Sequence, residues 1–225
     1  MPLKRHYIDF QKQTNNKVTP DEMDRYEQYQ VINPAISTTF FGSATEGTVS
    51  EVTAIGLGNT VADYPRNVVA VFTGSASVSG TVAVTGKNQF GETITESLGL
   101  AQGTQTAGFG IGTKVFAEVS ACTATMGTGV SGTGTVSLGV GTAKATLLFG
   151  LPAKIGVVSD VKAITWTNST GVAIPINGGT VASATYVDTG VHAFRGSENL
   201  NGTTTYSVLF KPSYYTDSLA LMANL

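Results

Sequence analysis

Residues 81–98, TVAVTGKNQFGETITESL, decide the reading of this chain. Val82 and Val84 alternate with Thr81, Ala83 and Thr85, residues 87–91 (KNQFG) carry turn chemistry, and alternation resumes from Glu92 to Leu98 around Ile94. The pattern predicts strand, turn, strand. Threonine on one side and valine on the other suits a half-buried antiparallel pair, because β-branched side chains lose little χ1 freedom on a pleated surface.

The same texture spreads outward in both directions. Strands are expected over 36–41, 47–55, 68–72, 114–123, 142–149, 184–189 and 204–211, the last with Tyr206, Val208 and Phe210 on one face. A second hairpin is expected from 164–167 and 172–176 around the turn 168–171 (NSTG). Residues 127–141, GTGVSGTGTVSLGVG, are too rich in glycine to pack well unaided and predict one long hairpin supported by neighbours. Residues 155–164 fit a strand or a single helical turn, and the tail 216–225 fits a short helix.

The amino end differs. Thr19 as N-cap, Pro20 at the first helical position and Glu22 closing a capping box predict a helix running to Gln30, with Met23, Tyr26 and Tyr29 close to one face and Asn33-Pro34 ending it. Before it, Tyr7, Ile8 and Phe10 sit among charges without a period. The expected fold is therefore all-β and mainly antiparallel, a β-sandwich or jelly-roll-like body with a partly helical N-terminal arm. The arm is 1–34, the Gly/Thr-rich body 35–153, and a β segment 154–225 either completes that body or adds a second. Tyr7, Ile8, Phe10, Tyr26 and Tyr29 are the candidate partner-binding residues of the arm. Burying all five would give about 7 to 15 kcal/mol, whereas fixing some thirty backbones costs roughly 30 to 60 kcal/mol. The arm is thus expected to order only against an extensive partner surface, that of a neighbouring subunit or an assembled particle.

Composition narrows function. Only 12% of the 225 residues are charged, about half the usual share, and the net charge of -2 gives no basic footprint for nucleic acid or an anionic membrane. Ten charged side chains fall in the first 30 positions, while residues 99–153 hold only Lys114, Glu118 and Lys144. So charge-poor a stretch predicts faces covered by other subunits, with Thr135 and Ser137 as outward positions of the interface. No apolar run approaches a membrane span, and MPLKRHYIDF has no apolar segment behind its basic residues, so neither a span nor a secretory signal is expected. Cys122, the only cysteine, permits no intrachain disulfide.

No motif carries chemistry. Residues 127–132 (GTGVSG) match the dinucleotide fingerprint by letters but precede a strand or loop instead of a helix. Residues 80–87 fail the phosphate-loop spacing. His6, His192 and Cys122 have no zinc-ligand spacing, Asp21, Glu22 and Asp24 suit a helix start better than calcium, and His192 lacks a nucleophile elbow. Glu92, Glu96 and Glu118 are glycosidase candidates only by elimination. Asn168 and Asn201 satisfy the glycosylation rule but read as turn residues. No catalysis, cofactor or metal is expected.

Three stretches together resemble virion structural proteins of tailed bacteriophages, above all head decoration (cement) proteins: 82–98 (VAVTGKNQFGETITESL), 149–152 (FGLP), and 194–196 (FRG) followed by 201–208 (NGTTTYSV). The resemblance covers 68–212, and the charged arm departs from it. It implies a β-rich accessory subunit, often a homotrimer, made in the host cytoplasm, that binds the major capsid protein on the outer surface of the capsid and reinforces the virion shell. A tail-tube or connector subunit, in rings of six, is the alternative within virion proteins. A carbohydrate-binding or adhesin module is the alternative outside them, with Trp166, Tyr186, Tyr214 and Tyr215 as stacking residues.

Overall fold

The computed structural model describes residues 7–8, 26–32, 34–46, 52–74, 79–102, 107–127, 134–140, 148–167, 173–175, 187–196 and 204–213. Every strand pairing given below is antiparallel, and no α-helix occurs among the described residues. The chain divides into two compact units. One comprises Asn33–Gly150 with Arg195–Gly202, and the other Met1–Ile32, Leu151–Phe194 and Thr203–Leu225.

The amino end supplies β1 (Tyr7–Ile8) and β2 (Tyr26–Ile32) to the second of these. The first unit then runs β3 (Gly42–Glu46), β4 (Val52–Ala54), β5 (Val61–Arg66), β6 (Val69–Gly74), β7 (Gly80–Lys87), β8 (Thr93–Gln102), β9 (Ala107–Ile111), β10 (Phe116–Met126), β11 (Gly134–Gly139) and β12 (Leu148–Gly150). Its sheet order is β12-β5-β10-β7-β8-β9-β6-β11-β3, with β4 also paired to β10. Gly42 at one end of this path bridges to Leu57, just past β4. The sheet therefore curls back toward itself as a half-barrel. Its concave side encloses one apolar cluster that includes Phe41, Phe72, Val82, Val84, Leu98, Leu100, Phe116, Val119 and Leu138.

The central hairpin is where the sequence places it. β7 and β8 pair with Val82 opposite Leu98 and Lys87 opposite Thr93, leaving 88–92 as the turn. The Asn88 side-chain oxygen accepts from the backbone N–H of Phe90 (3.0 Å) and Glu92 (2.9 Å), and Gly91 has φ +81°, a conformation that favours glycine. β10 flanks β7 on its other side with register shifts after Phe116 and after Val119, which turn both of these inward. A strict period of two puts them on opposite faces, as expected from sequence, and the two extra residues correct it.

Other expectations are revised. Residues 36–41 are turns and bends, with the strand displaced to β3. β11 does not fold back on β10; it lies between β6 and β3, and its outward Ser137 is buried, donating to the Val71 carbonyl at 3.3 Å. Ser137 is thus not available as an interface position, and Thr135 is half-buried. On the face that Ser137 shares, Gly139 lies against the Ser37 and Thr38 backbone, where a Cβ would clash, so this side of β11 is covered by the chain itself.

In the second unit, β13 (Val161–Thr167), β14 (Ala173–Pro175) and β17 (Thr205–Phe210) join β1 and β2 in the order β1-β2-β17-β13-β14. β15 (Val187–Asp188) and β16 (Ala193–Arg195) pair with each other, and a 3-10 turn at Val158–Asp160 leads into β13. The segment 155–164 is thus a turn followed by a strand, and the hairpin around 168–171 pairs Thr167 with Ala173 as expected.

The expected helix is overturned at its carboxyl end. Tyr26–Ile32 is a strand whose Tyr29 and Val31 are buried while Gln28, Gln30 and Ile32 are exposed. It pairs along its length with β17, Tyr29 opposite Val208 and Val31 opposite Tyr206. A capping signal is worth about 1 kcal/mol, and a ladder with two buried side chains outweighs it. Residues 9–25, with Phe10, Thr19 and Pro20, lie outside the described residues, as do the tail 214–225 and residues 128–133 and 141 of the glycine-rich stretch.

Candidate functional site

The polar groups that sequence reading weighed as catalytic have structural work. Glu96 Oε1 accepts from the Thr113 amide (2.7 Å) and hydroxyl (2.9 Å) and, at 3.3 Å, from the Lys114 amide, closing the turn between β9 and β10. Glu92 accepts from the Asn88 side-chain amide at 2.8 Å. Glu118 pairs with Lys87 at 3.4 Å on the surface. His192 has φ +51°; its carbonyl accepts from the Leu151 amide at 2.8 Å and its Nδ1 from the Ile155 amide at 3.4 Å, so it fixes a turn of the second unit. Among the described residues, no three His, Cys, Asp or Glu cluster to hold a metal. Residues 80–87, which fail the phosphate-loop spacing, are strand β7, hydrogen-bonded on both sides.

Two buried polar nodes were not anticipated. Arg66 is fully buried: its Nη1 donates to the Ala35 carbonyl (2.9 Å) and to Asp63 (3.1 Å), and its guanidinium stacks 5.0 Å from the Phe149 ring centroid. Asp63 in turn accepts from the Ala35 amide at 2.7 Å, so the pair fastens the entry of the chain to the half-barrel. The neighbouring Asn67 donates to the Gly112 carbonyl (3.0 Å) and accepts from the Leu148 amide (2.9 Å), stitching three segments. Asn67 is satisfied on both atoms of its amide, and Arg66 is held through Nη1 and the face of Phe149. Apart from Asp63, three positions before Arg66, their partners lie 31 to 81 residues away, so VADYPRN alone does not mark either residue as buried.

Cys122 faces the core, and burial raises its thiol from 9.0 to about 12. We expect Ellman's reagent to leave the native protein unmodified at pH 8 and to titrate one thiol after denaturation. Because the folded value lies above the unfolded one, this group's contribution to stability is complete below pH 9 and is lost as pH rises toward 12. Denaturation midpoints measured across that window should fall less steeply in Cys122→Ala.

Four of the five candidate arm residues lie on the paired strands β1 and β2. Tyr7 and Ile8 pair with Glu27 and Tyr26 as β1 against β2. Tyr26 is half-buried with the Lys162 ammonium 5.7 Å from its ring centroid, and Tyr29 is buried in the sheet. Phe10 lies outside the described residues. Of the stacking candidates, Trp166 is half-buried opposite Tyr206, and Tyr186, Tyr214 and Tyr215 lie outside the described residues.

What the half-barrel presents outward is a neutral surface. By register, Val52, Thr125, Thr81 and Gly99 form one row across β4, β10, β7 and β8. Ala54, Thr123, Ala83 and Ser97 form the next, and Ala121, Thr85 and Thr95 a third. All of these are exposed or half-exposed, and none is ionised. Charge returns at the end of the rows, with Lys87 and Glu118, and at the edge of the third row, where the Lys114 ammonium donates to the Thr95 carbonyl at 2.7 Å. Phe109 and Ile111 of the adjoining β9 are also exposed.

No family model, no curated protein and no solved structure matches this chain.

Proposed function

We propose that this chain is a non-enzymatic virion structural protein, a decoration subunit that binds the outer surface of a capsid shell through the major capsid protein and stabilises it. The observation that carries the reading is an antiparallel half-barrel that presents a neutral sheet face, while Glu92, Glu96, Glu118 and, in the other unit, His192 are engaged in turns and pairs. A β-sandwich or jelly-roll-like body is the architecture such a subunit needs, and the resemblance of 82–98, 149–152 and 194–208 to head decoration proteins points the same way. The chain works by occupancy, without turnover, cofactor or metal.

Antibody raised against the purified chain, applied with gold label to tailed particles from the culture that encodes it, tests the reading. Label on the head surface, and heads that release DNA at lower temperature when the gene is deleted, are the expected results. Label confined to the tail would replace the reading with that of a tail-tube or connector subunit. Particles without label would overturn both.

A further inference from the structure

We infer that the neutral outer face of β10, β7 and β8 is a self-association surface, on which a second copy of this chain docks face to face about a two-fold axis. Solvent-facing sides of antiparallel sheets are normally kept apart by mixed charge, Lys above all. Here, three successive rows centred on Thr123, Ala83 and Ser97 carry none.

Four physical points select a copy of the same chain as the occupant. A neutral face meets its own image without like-charge repulsion, whereas a charged partner would lose hydration without gaining a counter-charge. Threonine and serine hydroxyls both donate and accept, so the face can satisfy its own hydrogen bonds when turned on itself. Alanine, serine and threonine are short and of similar height, which suits the spacing of about 10 Å between packed sheets, and ordering them costs little side-chain entropy. The ion pair of Lys87 and Glu118 stands at the end of the rows, where a polar rim belongs.

The area sets the strength. Four strands about 4.8 Å apart and three rows about 6.8 Å apart give roughly 400 Å² per copy. Exposed Phe109 and Ile111 on β9 bring the pair to about 1,000 Å² in total, near the lower limit of a specific contact. The dimer is therefore weak and concentration-dependent. It does not rest on the capsid reading, since it concerns the purified chain alone.

Light scattering of the full chain over a concentration series tests it. The mass should climb from 23.2 kDa toward twice that value as concentration rises into the hundred-micromolar range. Thr123→Lys and Thr95→Lys should each shift the transition at least tenfold upward, and Ser43→Lys, on the exposed edge strand β3, should not. Mixing Thr123→Lys with Thr123→Glu should restore association, which separates a contact from a folding defect. A mass fixed at 23.2 kDa, a trimer indifferent to these substitutions, or a mixture that fails to recover would each overturn the inference.

Discussion

Replacing Arg66 by alanine should destabilise the half-barrel by about 3 to 5 kcal/mol, the cost of breaking a buried ion pair by removing one partner. The guanidinium is fully buried, and its loss empties space beside Phe149, frees the Ala35 carbonyl, and leaves Asp63 bonded to the Ala35 amide without its counter-charge. Asp63 keeps a 21% exposed side chain, so water reaches one end of the pair. The double variant Arg66→Met with Asp63→Asn fills the space and removes both charges. It should recover most of the loss, because well-packed apolar replacements of a buried pair are often neutral. Urea denaturation followed by tryptophan-independent far-UV circular dichroism measures both. If Arg66→Ala unfolds at the same midpoint as the parent protein, the pair is not what fastens residue 35 to β5.

The sequence and the structure agree where structure is local. The hairpin of β7 and β8 is legible because alternation and turn chemistry both act within some twenty residues, and the same holds for β13 with β14 and for the buried Tyr206, Val208 and Phe210 of β17. Agreement fails where the partner is distant. Tyr26 and Tyr29 fit a helical spacing behind a strong capping sequence, but the period-two set of Tyr29 and Val31 is the one that meets β17, 179 residues away by the Gln28 to Ser207 hydrogen bond. Ser137 reads as an outward strand position, and it is one by register, but Val71 beside it covers the site. The buried Arg66 and Asn67 leave no trace in local pattern at all. The neutral outer face, by contrast, is half legible: threonine alternating with valine reads as a half-buried strand, yet only register shows that β10, β7 and β8 align their neutral positions into one surface.

Deleting residues 1–33 should unfold the unit built from residues 151–194 and 203–225 while leaving the half-barrel intact. From sequence the amino segment is expected to order only against a neighbouring subunit or the shell; residues 26–32 depart from this, because they pair with β17 of the same chain. Tyr29 and Val31 are worth about 1.5 to 3 kcal/mol each when buried, and Tyr206 and Val208 beside them lose part of their cover when β2 is removed, so the loss is roughly 5 to 9 kcal/mol. That rivals the whole stability of a typical domain, about 5 to 15 kcal/mol. The core of Asn33–Gly150 draws on none of these side chains. Hydrogen exchange followed by mass spectrometry should therefore show amides of β13 and β17 exchanging at unfolded rates in the truncated protein, with β7, β8 and β10 still protected. A synthetic peptide of residues 24–33 added in trans should restore protection by adding the missing strand back to the sheet edge. Unchanged protection in β17 after truncation would mean that β2 is dispensable, and that the order of this sheet comes from β13 alone.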